Sequence, residues 1–216
     1  MIKENIQRAR QSVFETCSQA RLDPDKIRIV CVTKGRSIQE ISEAVGSGLN
    51  QLGENRVQEA LQKYKLVHAQ WHMVGHLQSN KVKDALKIFD LIHSVDSAQL
   101  AREIDKQALK INKVQDVLLE VKTSPEASKF GIKPEALEGV CEEILKLKNL
   151  KVKGLMTIAP WGEVPDKARP YFSKLRRLRD GLNPSWLLSM GMSDDFEVAI
   201  QEGADMIRLG RKIFEG

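Results

Sequence analysis

Lys34 is the first residue of this 216-residue chain whose position suggests covalent chemistry. It follows the run Ile29, Val30, Cys31, Val32 and Thr33, whose apolar, β-branched character reads as a fully buried strand. A lysine at a strand tip is most simply a solvated strand end. To act as a nucleophile it must lose its proton, and at an ordinary pKa only about 0.04% of a lysine is neutral at pH 7. Burial at the mouth of a fold, with cations nearby, would raise that fraction. A second group lies near the C-terminus. Ser189, Gly191 and Ser193 in "LSMGMSDD", with Gly210 in "IRLGRK", are small residues whose backbone N–H groups can point at an anion, while Met190 and Met192 between them read most simply as packing. A helix expected to begin at Ser193 would add its positive end. Arg208 stands two residues before Gly210.

The elements that must bring these groups together alternate along the chain. A helix is predicted from about Ile2 to Ala20, then a strand from Ile27 to Thr33. Further strands are predicted in "LNQLGE", "WHMVG", "LIHSV", "VQDVLLEVK", "LKVKGLMTIA", "SWLLSMG" and "ADMIRLG". Helical patterns separate them, one opened by Ser97 as an N-cap type and one ended by glycine after "SIQEISEAVGSG". The strands recur every 22–30 residues or so, room for one crossover helix each, and no hairpin signal interrupts them. Eight parallel βα units close into an α/β fold, a (β/α)8 TIM barrel with an extra N-terminal helix. The rival doubly wound sheet would need a phosphate loop after its first strand, and "TKGRS" is neither GxGxxG nor a Walker loop. No linker divides residues 1–216, which are expected to form one domain.

In a barrel the chemistry gathers where strands end. That rule collects Lys34, Glu54, Asn55, Gly75, His76, Ser94, Asp96, Lys122, Thr123 and Thr157, and places the glycine- and serine-rich segments after strands seven and eight, where barrels often hold phosphate. A lysine together with a phosphate cradle is what an aldehyde cofactor held as a Schiff base requires, and pyridoxal 5′-phosphate is the common one.

Composition narrows the alternatives. The net charge of +5 invites a nucleic-acid reading, but the densest basic run, Lys174, Arg176, Arg177 and Arg179, alternates with leucines at helical spacing and reads as the wet face of a helix. With two tyrosines and no aromatic–basic stacking pattern, no nucleic-acid partner is expected. No apolar run approaches ~20 residues, and no membrane partner is expected. Cys17, Cys31 and Cys141 are far apart and odd in number, which predicts a reducing cytoplasm rather than a disulfide framework. The histidines lack metal-ligand spacing, and His76 and His93 read as isolated.

The stretches "VCVTKGRS", "GENRVQE", "WHMVGHLQSNK", "IHSVDS", "SKFGI", "GLMTIAP" and "LSMGMSDDFEVAIQEGADMIRLGRKIF" together resemble the YggS/PROSC family of pyridoxal phosphate homeostasis proteins, over nearly the whole chain. That family is similar in fold to the N-terminal barrel of alanine racemase. The resemblance implies that Lys34 carries pyridoxal 5′-phosphate as a Schiff base and that Ser189–Ser193, Gly210 and Arg211 hold its phosphate. It also implies that Arg208 faces the pyridine nitrogen and that Asn55 lines the site. A guanidinium can only donate to that nitrogen, which leaves the cofactor a weak electron sink. Racemisation would further need a second base. In alanine racemases that base is a tyrosine from another domain, while Tyr64 and Tyr171 here fall in predicted helices away from strand tips. The resemblance therefore implies a carrier or regulator with little or no turnover, a monomer, with apo forms of cofactor-dependent enzymes as candidate acceptors. The alternative is a pyridoxal-phosphate-dependent amino-acid racemase.

Arg208 could instead pair with Asp194 or Asp195. Cys31, Thr33 and Glu215 depart from the family's usual residues. The loop from Ser124 to Gly131, with Lys129, could touch a ligand or form a second cofactor site, although a solvated loop is the simpler expectation.

Overall fold

In the computed structural model, which describes residues 1–124, 130–160, 162 and 164–215, eight parallel strands close into a barrel in chain order. The strands are β1 Arg28–Val32, β2 Gln51–Glu54, β3 Gln70–Met73, β4 Leu91–Val95, β5 Gln115–Glu120, β6 Leu150–Met156, β7 Leu187–Ser189 and β8 Met206–Leu209. Between them run α2 Ile38–Gly46, α3 Val57–Lys63, α4 Val82–Ile88, α5 Ala98–Leu109, α6 Leu137–Leu145, α7 Arg169–Leu182 and α8 Phe196–Gln201, with α9 Arg211–Phe214 after β8. The predicted α/β class and closed (β/α)8 barrel are both present.

Helix α1, Ile2–Ala20, is the predicted extra helix. Its buried residues Ile2, Ile6, Ala9, Val13 and Cys17 recur three or four apart and form one apolar stripe. That stripe packs on α2, α8 and α9, across the seam where β8 meets β1. Local signals set the helix starts, the expected cap at Ser97 among them. Ser37 and Glu40 make a full capping box on α2, and Ser97 accepts the Leu100 N–H at the start of α5.

Strand alternation divides the core in two. Cys31, Leu52, Trp71, Ile92, Val117, Leu155, Leu188 and Ile207 belong to the large cluster shared with the helices, so they face outward. Residues of the opposite parity, Leu91, Leu118, Met156 and Met206, form a separate cluster inside the barrel. A register shift in β4 between Ile92 and Val95 keeps both of these on the outer side. At Gly154 a side chain is excluded, since a Cβ would lie 2.0 Å from the Leu187 carbonyl oxygen. This parity decides which polar residues enter the lumen.

Candidate functional site

Arg208 lies on β8 with the parity of Met206, and its register partner on β1 is Val30. Its side chain therefore points into the lumen, where only 4% of the residue is exposed. One terminal nitrogen donates to Ser189 Oγ at 2.8 Å and the other to the Thr157 carbonyl at 2.9 Å. Among the described residues it makes no ion pair. The carboxylates weighed as its partners are engaged elsewhere: Asp194 pairs with Arg211, and Asp195 accepts the Met192 N–H. Burial lowers the guanidinium pKa to about 10 against the pull of Asp195 and Glu120, so the group stays cationic.

A buried chain continues from Arg208. Ser189 Oγ lies 2.9 Å from His93 Nδ1, and His93 Nε2 lies 3.0 Å from His72 Nδ1. His93 is thus not isolated, as its sequence context suggests, but bonded at both ring nitrogens. Burial holds both imidazoles neutral, with His72 down to about 4 and His93 well below its ordinary value. Glu120, the last residue of β5, shares the Met156 register position. Burial raises its carboxyl to about 7, aided by Asp96 and opposed by Arg208. Neither His93 nor Glu120 stands out in the sequence; only their parity in the closed barrel puts them in the lumen.

Lys34 follows β1 by two residues and keeps the inward parity of Val30 and Val32. The expected burial is absent: Lys34 is exposed. The reason is local. Thr33 to Arg36 form a turn closed by the Arg36 N–H on the Thr33 carbonyl at 3.1 Å, with Gly35 at φ +70° in the position where such a turn favours glycine. The turn lifts Lys34 to the rim, four residues and roughly 13 Å of strand above the level of Arg208.

The loops after β7 and β8 form the expected cradle with corrections. The N–H of Met190 is committed to the Met206 carbonyl at 3.1 Å, and that of Met192 to Asp195 Oδ1 at 2.6 Å. The Met190 side chain is buried in the outer core. The N–H groups of Gly191, Ser193, Gly210 and Arg211 donate no hydrogen bond among the described residues. Gly191 has φ +90°, and a Cβ there would lie 2.5 Å from the Ala199 Cβ, so only glycine lets the loop lie this close to α8. The predicted helix start at Ser193 is wrong. The chain turns first and α8 begins at Phe196, while Ser193 Oγ accepts the Lys212 N–H of α9 at 3.3 Å. Glu215 bonds Arg36, tying the last turn to the loop that bears Lys34.

Other candidates line the rim. Asn55, just after β2, borders a cavity of about 420 Å³ with Arg56, Gly75, His76 and Lys81. His76 is not isolated either: it stacks on Phe130 with ring centroids 3.6 Å apart and lies 3.3 Å from Asp96. Tyr171 sits in α7 as predicted, yet it is not remote, since it shares a cavity of about 270 Å³ with Met192 and Asp195. In the loop from Ser124 to Gly131, residues 125–129, Lys129 among them, lie outside the described residues. Cys17, Cys31 and Cys141 are buried and unpaired. Among the described residues no helix is long and apolar enough to cross a membrane.

The family "Alanine racemase, N-terminal domain" matches residues 2–215. The pyridoxal phosphate homeostasis protein of Aquifex aeolicus is 45% identical over 98% of this chain and 96% of its own. PipY of Synechococcus elongatus, solved with pyridoxal phosphate bound, superposes with a TM-score of 0.85 at 34% identity, covering 99% of this chain and all (100%) of its own. Alanine racemase of Clostridium difficile shares the fold, with a TM-score of 0.72 at 15% identity over 95% of this chain and 58% of its own.

Proposed function

Because the chain belongs to the alanine racemase N-terminal domain family, in the branch formed by the pyridoxal phosphate homeostasis proteins, we propose that its barrel mouth holds pyridoxal 5′-phosphate for cofactor homeostasis, with little or no turnover. Lys34 is the covalent, Schiff-base attachment point. The observation that carries this reading is Arg208, a buried guanidinium in the lumen that has no carboxylate partner among the described residues and bonds only Ser189 Oγ and the Thr157 carbonyl.

The residues present fit the group. When bound, the cofactor supplies an aldehyde carbon that condenses with an amine, and a pyridine ring that draws electrons. The exposed Lys34 amine meets the aldehyde at the rim. Arg208, below it, donates to the ring nitrogen and keeps a proton off it, which weakens electron withdrawal. The free N–H groups of Gly191, Ser193, Gly210 and Arg211 receive the phosphate, with the Arg211 guanidinium beside them. Asn55 borders the mouth. Ser189 acts through Arg208 and not on the phosphate, because its hydroxyl is bonded to Arg208 and His93. Met190 and Met192 shape the loop, their N–H groups being engaged.

An open rim and an exposed attachment point suit delivery of the cofactor to apo enzymes. Three unpaired thiols suit a reducing cytoplasm, and the protein acts as a monomer. The test is borohydride reduction of the purified protein with added cofactor, followed by peptide mapping. Label is expected on Lys34 and is lost in Lys34→Ala. Unlabelled Lys34, or amino-acid racemisation faster than ~1 s⁻¹, would overturn the proposal.

A further inference from the structure

Behind the rim, on the outer side of β1 and β2, lies a charged cluster that none of the roles above uses. Lys63, the last residue of α3, is buried, with its side chain 8% exposed. Its ammonium donates to Glu54 Oε1 at 2.7 Å, to Glu59 Oε1 at 2.6 Å and to the Thr33 carbonyl at 2.7 Å. Those three bonds use all of its protons. The acids are committed in turn. Glu54 Oε1 accepts the Thr33 hydroxyl at 2.7 Å, and Glu59 Oε1 accepts the Gly35 N–H at 2.5 Å.

Thr33 and Gly35 flank Lys34. The residue before it is thus gripped at its carbonyl and its hydroxyl, and the residue after it at its amide. The Thr33 carbonyl also receives the Arg36 N–H that closes the turn. Lys34 itself is exposed, and its backbone is held by these bonds together with the bond from the Thr33 N–H to the Gly53 carbonyl at 2.9 Å. The bonds of the cluster are charge-assisted; those joining Lys63, Glu54 and Thr33 are buried, while the bond from the Gly35 N–H to Glu59 lies at the surface. The residues come from "GENRVQEALQK", of which the proposed site uses only Asn55. Glu59 and Lys63 are four apart on α3 and form a helical pair in the favoured order. The tertiary contact turns that pair toward β1.

We infer that Glu54, Glu59 and Lys63 form a clamp on the peptide bonds flanking Lys34, and that this clamp governs how readily Lys34 captures and releases the cofactor. The inference rests on Lys34 being the attachment point. The three are positioning residues: they hold the backbone of the residue that bonds, and do not touch the cofactor. A rigid turn keeps the Lys34 amine over the lumen and slows release. A loosened turn lets it swing into solvent and speeds release.

Glu59 is the member to change, because its side chain is 26% exposed and its loss leaves the Lys63–Glu54 pair intact. Glu59→Ala removes the acceptor for the Gly35 N–H, and Glu59→Gln restores a neutral one. Amide hydrogen exchange at Gly35, measured by NMR without cofactor, is expected to speed up at least about tenfold in Glu59→Ala, the effect of losing a hydrogen bond to a charged group. Glu59→Gln is expected to recover most of the protection. Release of pyridoxal 5′-phosphate from loaded protein into excess hydroxylamine is expected to quicken in the same order, with Tm lowered by only about 3–6 °C in Glu59→Ala and recovered in Glu59→Gln. Wild-type exchange and release rates in Glu59→Ala overturn the clamp and leave the attachment intact. If borohydride fails to label wild-type Lys34, the proposed function falls, and Gly35 exchange still decides whether the clamp exists. Release that quickens in step with a falling Tm, without rescue by Gln, marks Glu59 as merely structural and overturns the inference.

Discussion

Replacing Glu120 by Gln tests whether the lumen is as dry as its geometry implies. The carboxyl sits at the end of β5, 5% exposed, and burial raises its pKa from the ordinary 4.5 to about 7. In the unfolded chain it ionises near its ordinary value, so between these two values the unfolded state gives up a proton that the folded state keeps. The stability due to neutral Glu120 is complete below about pH 4.5 and is lost as pH rises through about 7. At ~1.4 kcal/mol per pH unit, the full loss is about 3 kcal/mol. Glutamine keeps the size and polarity of the neutral acid but never ionises. Urea unfolding of wild type and Glu120→Gln, without cofactor, should differ by under about 1 kcal/mol near pH 5. By about pH 8 Gln should be ahead by about 3 kcal/mol, or about 6–12 °C in Tm for a chain of this size. A difference that ignores pH, or a wild type that is the more stable form at pH 8, would refute the reasoning. Glu120 would then be ionised and well solvated or paired in the folded barrel.

Two further outcomes follow from the same geometry. Gly191→Ala puts a side chain at φ +90° with its Cβ 2.5 Å from that of Ala199. Backbone strain and overpacking together should cost about 2–5 kcal/mol, seen as a lower urea midpoint together with weaker binding of pyridoxal 5′-phosphate in fluorescence titration. His72→Gln should blunt acid denaturation. Wild type loses stability as pH falls from 6.5 through about 4, because the unfolded imidazole takes a proton that the buried one refuses. The variant should retain about 3 kcal/mol more near pH 3.5, read from unfolding curves across that range.

Much of this protein is legible in its sequence because the relevant signals are local. Alternating strand and helix patterns, at spacings that exclude hairpins, specify eight parallel units, and parallel pairing leaves few architectures. Ser97 marks the start of α5 because capping involves neighbours in the chain. Lys34, Arg208 and the glycine loops declare themselves by lying at strand ends. Helix α8 starts three residues past Ser193 because Asp195 accepts the Met192 N–H and turns the chain before Phe196, which nothing in the small polar residues of that stretch signals.

The closed barrel decided the rest. His72, His93, Ser189 and Arg208 form one hydrogen-bonded chain, although up to 136 positions separate them. Their convergence requires barrel closure, which no single segment encodes. The grip of Lys63 on the neighbours of Lys34 is likewise a property of β1, β2 and α3 packed together. Side-chain periodicity tells which faces of a segment are apolar; only the packed arrangement determines which polar groups end up within bonding distance.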